Sequence, residues 1–349
     1  MRYSRIGVSI VVALSAVLGL LTPRAHAQSL TFGLFDRYVD ALRQELHIPG
    51  LSIAVVQNGR IVFDRGYGFR DVGASQAATA DTPYPIANLS ETVGATLVLQ
   101  QCIDRGDEIE LNDRVVRWTP FPEPTTTIAQ VLTHVAPTGA YKYDSPRFGA
   151  LTGVIVECVD QSYPRIVATQ ILDRLAMTDS VPGRDVVNLP DAQAFSPSTL
   201  DRYRSALSRM AVPYRIDSKG AAVRSEDPQR ALTAATGIVS SVRDLAKFDA
   251  ALSDGVLLSP ESRTAMWAPA PARPTGMGWF LQTHNGQPLI WQFGLAKDAY
   301  SSLIIKVPGQ QLTLILLANS DGLTSSFSPT DGDVTQSIFA RLFLRLFVS

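Results

Sequence analysis

Apolar residues near the start of the chain recur with the spacing of one helical face. Phe35, Tyr38, Val39, Leu42 and Leu46 stand at i, i+3, i+4, i+7 and i+11. This periodicity predicts an amphipathic helix. A Pro-Gly pair follows the helical pattern and ends it. The folded chain is therefore expected to open with a helix that buries one apolar face.

Three pairs of strand-like segments, each joined by a turn dipeptide, follow that helix and return near the C-terminus. Apolar runs around Asn58-Gly59, Asn285-Gly286 and Pro308-Gly309 predict β-hairpins. The segments are 51–56 with 61–63, 278–283 with 287–293, and 301–306 with 311–318. Strands at both ends of the chain indicate one sheet assembled from both termini.

The middle of the chain is helical in pattern. Residues 93–99 are apolar nearly all round except for Gly94 and Thr96, which predicts a helix buried on every side. A second helix follows Tyr143, and a last helical stripe runs through 334–346. We expect an α+β fold with a sheet lobe (about 30–80 and 275–349), terminal helices on one face, and a helix-rich lobe (about 81–274). A cleft between the lobes is where a small-molecule site is expected.

The first 27 residues have the pattern of a signal peptide. Arg2 and Arg5 precede an uncharged, largely apolar run at 6–21, and Ala25-His26-Ala27 supplies a cleavage site. The run of 16 residues is shorter than the roughly 20 that a membrane-spanning helix needs. We expect a mature chain at 28–349, periplasmic or secreted, without a stable membrane span; an uncleaved anchor is the alternative.

Charge and metal-ligating residues narrow the possible functions. The 31 basic residues of the chain include three before position 28, so the mature chain carries 28 against 32 acidic residues, a net charge of −4. This balance gives no basic excess for nucleic acid. His47, His134 and His284 lack the spacing of metal ligands, and we predict no metal and no cofactor.

The chain has two cysteines, Cys102 and Cys158. Both lie in apolar helical patterns, where small buried thiols are common. A disulfide is permitted in an oxidising compartment, but the sequence favours thiols.

Several segments resemble one protein family, in matching order. They are PGLSIAVV at 49–56, VLTH at 131–134, ILDRLAMTD at 171–179, TGIVSSVRDLAKF at 236–248 and DGVLLSPE at 254–261. Through these segments the chain resembles the serine β-lactamases (class C-type), penicillin-binding-protein-like D-alanyl-D-alanine carboxypeptidases and related esterases. The resemblance covers nearly all of 35–320 and implies a β-lactamase/DD-peptidase-like fold.

The resemblance implies acyl transfer through a serine ester, carried by three motifs. A Ser-x-x-Lys supplies the nucleophile and a base, and a Tyr-x-Asn supplies a phenol and an amide. A Lys-Thr-Gly or His-x-Gly on a strand supplies a donor for the substrate carboxylate, and its backbone helps to form the oxyanion hole.

The first motif position holds residues that cannot perform this chemistry. Asn88 stands in place of the serine and Glu91 in place of the lysine, and the chain contains no Ser-x-x-Lys. A carboxamide is not a competent nucleophile. We interpret Asn88 as a helix N-cap and Glu91 as the partner of a capping box. Ser90 is expected to point away from this position, because two helical residues are separated by about 200°.

The other two motif positions are also altered. Tyr143 is kept, but Ser145 replaces the amide residue, and Lys142 is expected to point away from Tyr143. Gln292 replaces the strand cation, while Gly294 keeps the small residue. We expect Lys297 to be a solvated loop residue and His134 to make a structural hydrogen bond.

These observations lead to a catalytically inactive, exported homologue that keeps the cleft for a peptidoglycan-type or other small ligand or for a partner. The alternative is an active serine hydrolase with a rewired site that uses Glu91, Tyr143 or Ser90. A weaker hypothesis is a protein-interaction role for the outer surface. The sequence leaves the oligomeric state open.

Overall fold

A computed structural model describes residues 23–106, 108–188, 190–228, 231–270 and 275–348. The predicted n-region and apolar run of the signal peptide lie outside these ranges, and the predicted cleavage site falls within the bounds of the first helix. Within the described ranges, no helix combines the length and the apolar character needed to cross a bilayer.

Helix α1 spans Pro23–Glu45 and leads into an antiparallel hairpin. Phe35 and Val39 are fully buried, as the predicted apolar face requires. The hairpin turn contains Asn58 and Gly59, both at positive φ, which is the conformation that an Asn-Gly hairpin needs. Asn285 and Gly286 repeat this geometry in a later hairpin.

An antiparallel sheet of eight strands forms the centre of the fold, in the order β3-β2-β1-β12-β11-β10-β9-β8. Its strands are β1 Gly50–Gln57, β2 Arg60–Asp71, β3 Gln76–Ala77, β8 Thr275–Gly276, β9 Trp279–His284, β10 Gln287–Ala296, β11 Tyr300–Val307 and β12 Leu312–Ala318. The N-terminal strand β1 pairs with the C-terminal strand β12, so the sheet is assembled from both ends of the chain, as predicted.

Short helices and two small strand pairs fill the section between β3 and β8. The helices are α2 Ser90–Leu97, α3 Ile128–Leu132, α4 Ser145–Gly149, α5 Leu151–Val159, α6 Tyr163–Val167, α7 Pro197–Ser208, α8 Val242–Ser253 and α9 Pro260–Met266. The strand pairs are β4 Tyr84–Pro85 with β7 Val239–Ser240, and β5 Tyr214–Ile216 with β6 Ala222–Arg224. The sequence pattern did not predict these four strands, because two or three residues are too few to show a period.

Two large apolar clusters lie on opposite faces of the sheet. One joins the sheet to α1 and to the C-terminal helix α10, Ile338–Phe347. The other joins it to the helix-rich section, where α2 is buried along its whole length. Alternate residues of β12 divide between the clusters: Leu314 and Leu316 face the terminal helices, and Ile315 and Leu317 face the other side. The expected α+β fold with an antiparallel sheet is confirmed.

The expectation that the two cysteines remain thiols is wrong. Cys102 and Cys158 form a disulfide, with their Cα atoms 5.8 Å apart. Cys102 lies in the π-helical turn Val98–Ile103 that continues α2, and Cys158 lies in the last turn of α5. The helical pattern indicated that both residues are at packed positions, but it did not show that the two helices meet.

Candidate functional site

The motif positions come together where the start of α2 meets strand β10. Strand β9 pairs with β10 as far as Trp291 in the described register. Beyond that point, the 3-10 turn Ala87–Leu89 packs against the strand. Gly294 allows this close approach, because a Cβ atom there would lie 2.1 Å from the carbonyl oxygen of Ile86.

The Asn88 side chain connects the turn before α2 to Ser145 and to strand β10. The prediction that Asn88 is the N-cap of α2 is wrong. Helix α2 begins at Ser90, and the residue before it makes no side-chain cap. A 3-10 turn precedes the helix, so the side chain of Asn88 is free to make tertiary contacts. Its Nδ2 donates to Ser145 Oγ at 2.6 Å, and its Oδ1 accepts from the backbone N–H of Leu295 at 3.2 Å. We call these three residues the Asn88 bridge.

Glu91 does not complete a capping box. Its side chain is fully buried and lies beside three other polar side chains. His134 Nε2 lies 3.1 Å from Oε2, Gln292 Nε2 donates to the same oxygen at 3.1 Å, and the Tyr143 hydroxyl donates to Oε1 at 3.3 Å. We call these four residues the Glu91 cluster. A buried polar group without hydrogen-bond partners lowers the stability of a fold. The three contacts of Glu91 offset this cost and allow a carboxyl group to be buried here.

Gln292 has little capacity left for a ligand. Its Nε2 also donates to the carbonyl oxygen of Gly278 at 3.1 Å, and its Oε1 accepts from the backbone N–H of Phe293 at 2.9 Å. The side chain is fully buried. An amide whose groups are already bonded inside the protein is a structural link between β10 and α2.

Tyr143 is held between two anchored neighbours. The backbone N–H of Lys142 donates to the carbonyl oxygen of His134, and the Asp144 side chain caps helix α4 by accepting from the N–H of Arg147. The Tyr143 ring lies 4.5 Å from the His134 ring, centroid to centroid. Burial first, and then the nearby Glu91 carboxyl group, raise the pKa of the Tyr143 phenol well above its usual value. The phenol therefore holds its proton at neutral pH and is a poor base.

Several expectations about neighbouring residues hold. Lys142 is exposed and pairs with Glu123 at 3.1 Å rather than with Tyr143. Lys297 is exposed in the turn between β10 and β11. Ser90 is fully buried, and its hydroxyl has no hydrogen-bond partner within the described part of the chain, while its direction relative to Asn88 stays a prediction. His134 makes the side-chain hydrogen bond that was expected, but with the carboxyl group of Glu91.

One residue of the site escaped the sequence analysis. Leu295 takes part through its backbone N–H, and a side-chain pattern gives no signal for a backbone donor. Its place one residue after Gly294 on the strand was the only available cue. The link between His134 and Glu91 was also missed, since 43 residues separate them.

The arrangement offers little for covalent chemistry. The turn before α2 holds the carboxamide of Asn88, and the carboxyl group of Glu91 in the first turn of α2 is closed off from solvent. Among the residues of the site, Tyr143, Ser145 and Leu295 are half-buried. Among the described residues, no group of three or more His, Cys, Asp or Glu side chains is arranged to hold a metal ion.

Comparison with protein families gives one match along most of the chain. The family model described as Beta-lactamase matches residues 35–332. A curated relative is Protein flp of Staphylococcus aureus (strain N315), 22% identical over 342 residues. The match covers 84% of this chain and 64% of the relative, so this chain spans less than two thirds of that protein's length.

Solved structures share the fold at low sequence identity. A penicillin-binding protein homologue from Pyrococcus abyssi, described as octameric, has a TM-score of 0.71 and 20% identity, over 90% of this chain and 77% of that one. The D-alanine carboxypeptidase AmpC from Burkholderia cenocepacia has a TM-score of 0.68 and 17% identity, over 91% of this chain and 99% of that one. Both support a β-lactamase/DD-peptidase fold.

Proposed function

Because the chain belongs to the β-lactamase family, we propose that it is an exported member that does not form an acyl-enzyme. It uses the region of the former site to hold a ligand or partner without covalent chemistry. Peptidoglycan-type peptides are the ligand class that the family resemblance and the named D-alanine carboxypeptidase suggest.

The Asn88 bridge carries this proposal. Acyl transfer needs a nucleophile and free donors for the oxygen that becomes negative. Asn88 supplies no hydroxyl, and its own Oδ1 accepts the N–H of Leu295. The backbone donor next to Gly294 is therefore satisfied by the protein itself. A substrate carbonyl would have to displace a side chain held at two points.

The rewired hydrolase has less support. Glu91 and Tyr143 are in contact, as that hypothesis required, but Glu91 is fully buried and its contacts are all within the protein. Tyr143 has a raised pKa, which disfavours it as a base at neutral pH. The buried hydroxyl of Ser90 has no adjacent base among its described contacts and no path to a substrate.

Export has separate support. The Cys102–Cys158 disulfide is a feature of proteins that fold in oxidising compartments. The N-terminal segment has the order of regions that a signal peptide has. Both suggest a chain that acts outside the cytoplasm.

The test is intact-mass analysis after incubation with a fluorescent penicillin and, separately, a fluorophosphonate. We expect no mass increase for the chain at 28–349. The matched control is Tyr143→Phe, which removes the one kept motif hydroxyl and should likewise show no mass increase over its own unlabelled mass. A stoichiometric adduct on the unmodified protein, mapped to any residue of the site, contradicts the proposal.

A triple variant shows whether the scaffold alone would accept the reagent. Asn88→Ser, Glu91→Lys and Ser145→Asn together restore the family's motif residues at the first two positions. Circular dichroism and urea unfolding establish that the variant is folded before it is labelled. An adduct on a folded triple variant, with none on the parent chain, attributes the missing chemistry to these side chains.

A further inference from the structure

An apolar surface lies where α1 and α10 pack together, on the face of the sheet opposite α2. Leu30, Leu34 and Tyr38 stand four residues apart along α1 and are 60%, 38% and 53% exposed. Residues at this spacing share one helical face. Large apolar side chains are often exposed singly, but a continuous row marks a contact surface.

The row continues into a groove of about 630 Å³ between the two helices. Tyr38 and Leu42 form one wall, and Ile338 and Leu342 of α10 form the other. The last three are half-buried. We call the row and the groove the α1/α10 face.

Arginines border this face. Arg341 and Arg345 line the groove one turn apart on α10, and both are exposed. Arg37 is exposed on α1, close in angle to Leu30 and Leu34. Within the described ranges, none of the three has a side-chain hydrogen bond or an ion pair. Two acidic side chains of α1 lie near this row: Glu45, exposed at the last residue of the helix, and Asp40, one turn after Arg37, which pairs with Arg43 at 2.7 Å.

We propose that the α1/α10 face binds the surface of a membrane that contains anionic lipids. Apolar side chains next to arginines, with a tyrosine between them, are what a helix needs to lie in the headgroup region. Leucines enter the acyl boundary, the arginines contact phosphate groups, and the aromatic ring occupies the interface between them.

A second copy of the chain is a poorer occupant of this face. In a symmetric dimer the same patch meets itself. Arg37, Arg341 and Arg345 would then face their own copies, and close like charges oppose association. An anionic lipid surface complements all three. The proposal is independent of whether the motif positions are catalytic.

Vesicle co-sedimentation tests this inference with the chain at 28–349, which contains the whole family match. Vesicles of phosphatidylcholine alone are compared with vesicles that contain 30% phosphatidylglycerol. We expect binding to the anionic vesicles and much weaker binding to the neutral ones, with the difference falling as salt increases. Equal binding to both vesicles, or none to the anionic ones, overturns the inference.

Two variants and their controls identify the face. Each basic residue near an anionic membrane contributes about fivefold to partitioning, so Arg341→Glu/Arg345→Glu should weaken binding by at least about 30-fold. Leu34→Ser/Tyr38→Ser should also weaken it. Arg114→Glu/Arg165→Glu makes the same charge change at two exposed arginines of the helix-rich section, and Val116→Ser/Val256→Ser alters exposed apolar residues elsewhere.

Both controls should bind like the parent chain. If the Arg114/Arg165 variant loses as much binding as the Arg341/Arg345 variant, net charge rather than this face is responsible and the inference is wrong. Size-exclusion chromatography with light scattering is run on the same samples. A dimer that Leu34→Ser/Tyr38→Ser dissociates would assign the face to self-association instead.

Discussion

The side-chain oxygen of Asn88 accepts the backbone N–H of Leu295 across 207 residues of sequence. The contact joins the turn before α2 to the half of β10 that lies beyond its pairing with β9. It makes the residue at the nucleophile position a part of the protein's internal hydrogen bonding.

Replacing Asn88 tests that contact directly. Asn88→Ala removes the acceptor for Leu295 and the donor to Ser145, and we expect a loss of about 1–3 kcal/mol in the free energy of unfolding. Hydrogen exchange should become faster at the amide of Leu295. Asn112→Ala, at an exposed asparagine, is the control. An unchanged exchange rate at Leu295 would show that the contact does not form in solution.

Glu91 is predicted to be a stabilising residue of the core. Glu91→Gln replaces one of the two carboxyl oxygens with an NH2 group, so either Gln292 or Tyr143 loses the oxygen to which it donates. We expect a loss of about 2–4 kcal/mol, measured by urea unfolding. Glu157→Gln, at an exposed glutamate of α5, should change stability by less than about 0.5 kcal/mol. Equal effects for the two variants would contradict a buried role for Glu91.

The raised pKa of Tyr143 gives the protein a dependence on alkaline pH. The folded state keeps the phenol protonated above the unfolded-state value of about 10. The contribution of the protonated phenol to the free energy of unfolding is complete below pH 10. It is lost as the pH rises above 10, by up to about 1.4 kcal/mol per pH unit. The stability difference between the parent chain and Tyr143→Phe should therefore change little from pH 7 to 9 and shift against the parent from pH 10 to 11. A constant difference across the whole range would mean that Tyr143 titrates alike in both states.

The lowered pKa of Glu123 gives the stability of the protein a dependence on acidic pH. Burial acts to raise the pKa of its carboxyl group, but hydrogen bonds from Lys142, Thr126 and Arg147 outweigh it and lower the pKa to about 2. The stabilisation is present above the unfolded-state pKa of about 4.3 and is lost as pH falls toward 2. Glu123→Gln should destabilise the protein at pH 7, and the difference should shrink between pH 5 and 2. A difference that grows on acidification would reverse this assignment.

The disulfide makes a measurable contribution to stability. By the chain-entropy relation for a loop closed over 56 residues, removing it costs about 4 kcal/mol. Cys102→Ala/Cys158→Ala should show this loss in urea unfolding. The parent chain, unfolded without reductant, should not react with a thiol-alkylating reagent until reductant is added. Two alkylated cysteines under the first condition would show that the bridge is absent.

The sequence predicted those elements of the fold that depend on a few neighbouring residues. Phe35 and Val39 are buried on one face of α1, and the Asn-Gly turns have the expected positive φ angles. Both features were predictable because helical periodicity and turn chemistry act over a few residues. The N-cap assigned to Asn88 failed because local capping competes with tertiary partners, here Ser145 and Leu295. The meeting of Cys102 with Cys158 likewise depends on how two helices pack.

The Asn88 bridge and the Glu91 cluster also make the motif positions depend on one another, because a change at one position alters the contacts of the others. Asn88→Ser alone removes the amide oxygen that accepts from the N–H of Leu295 and the amide group that donates to Ser145 Oγ, and Glu91→Lys alone replaces the carboxyl oxygens that accept from Gln292 and Tyr143 with a cationic donor. Each single replacement therefore lowers the stability of the fold, even where it introduces a residue of the family's motif. Substitutions at positions 88, 91 and 145 are therefore expected to be tolerated together rather than one at a time.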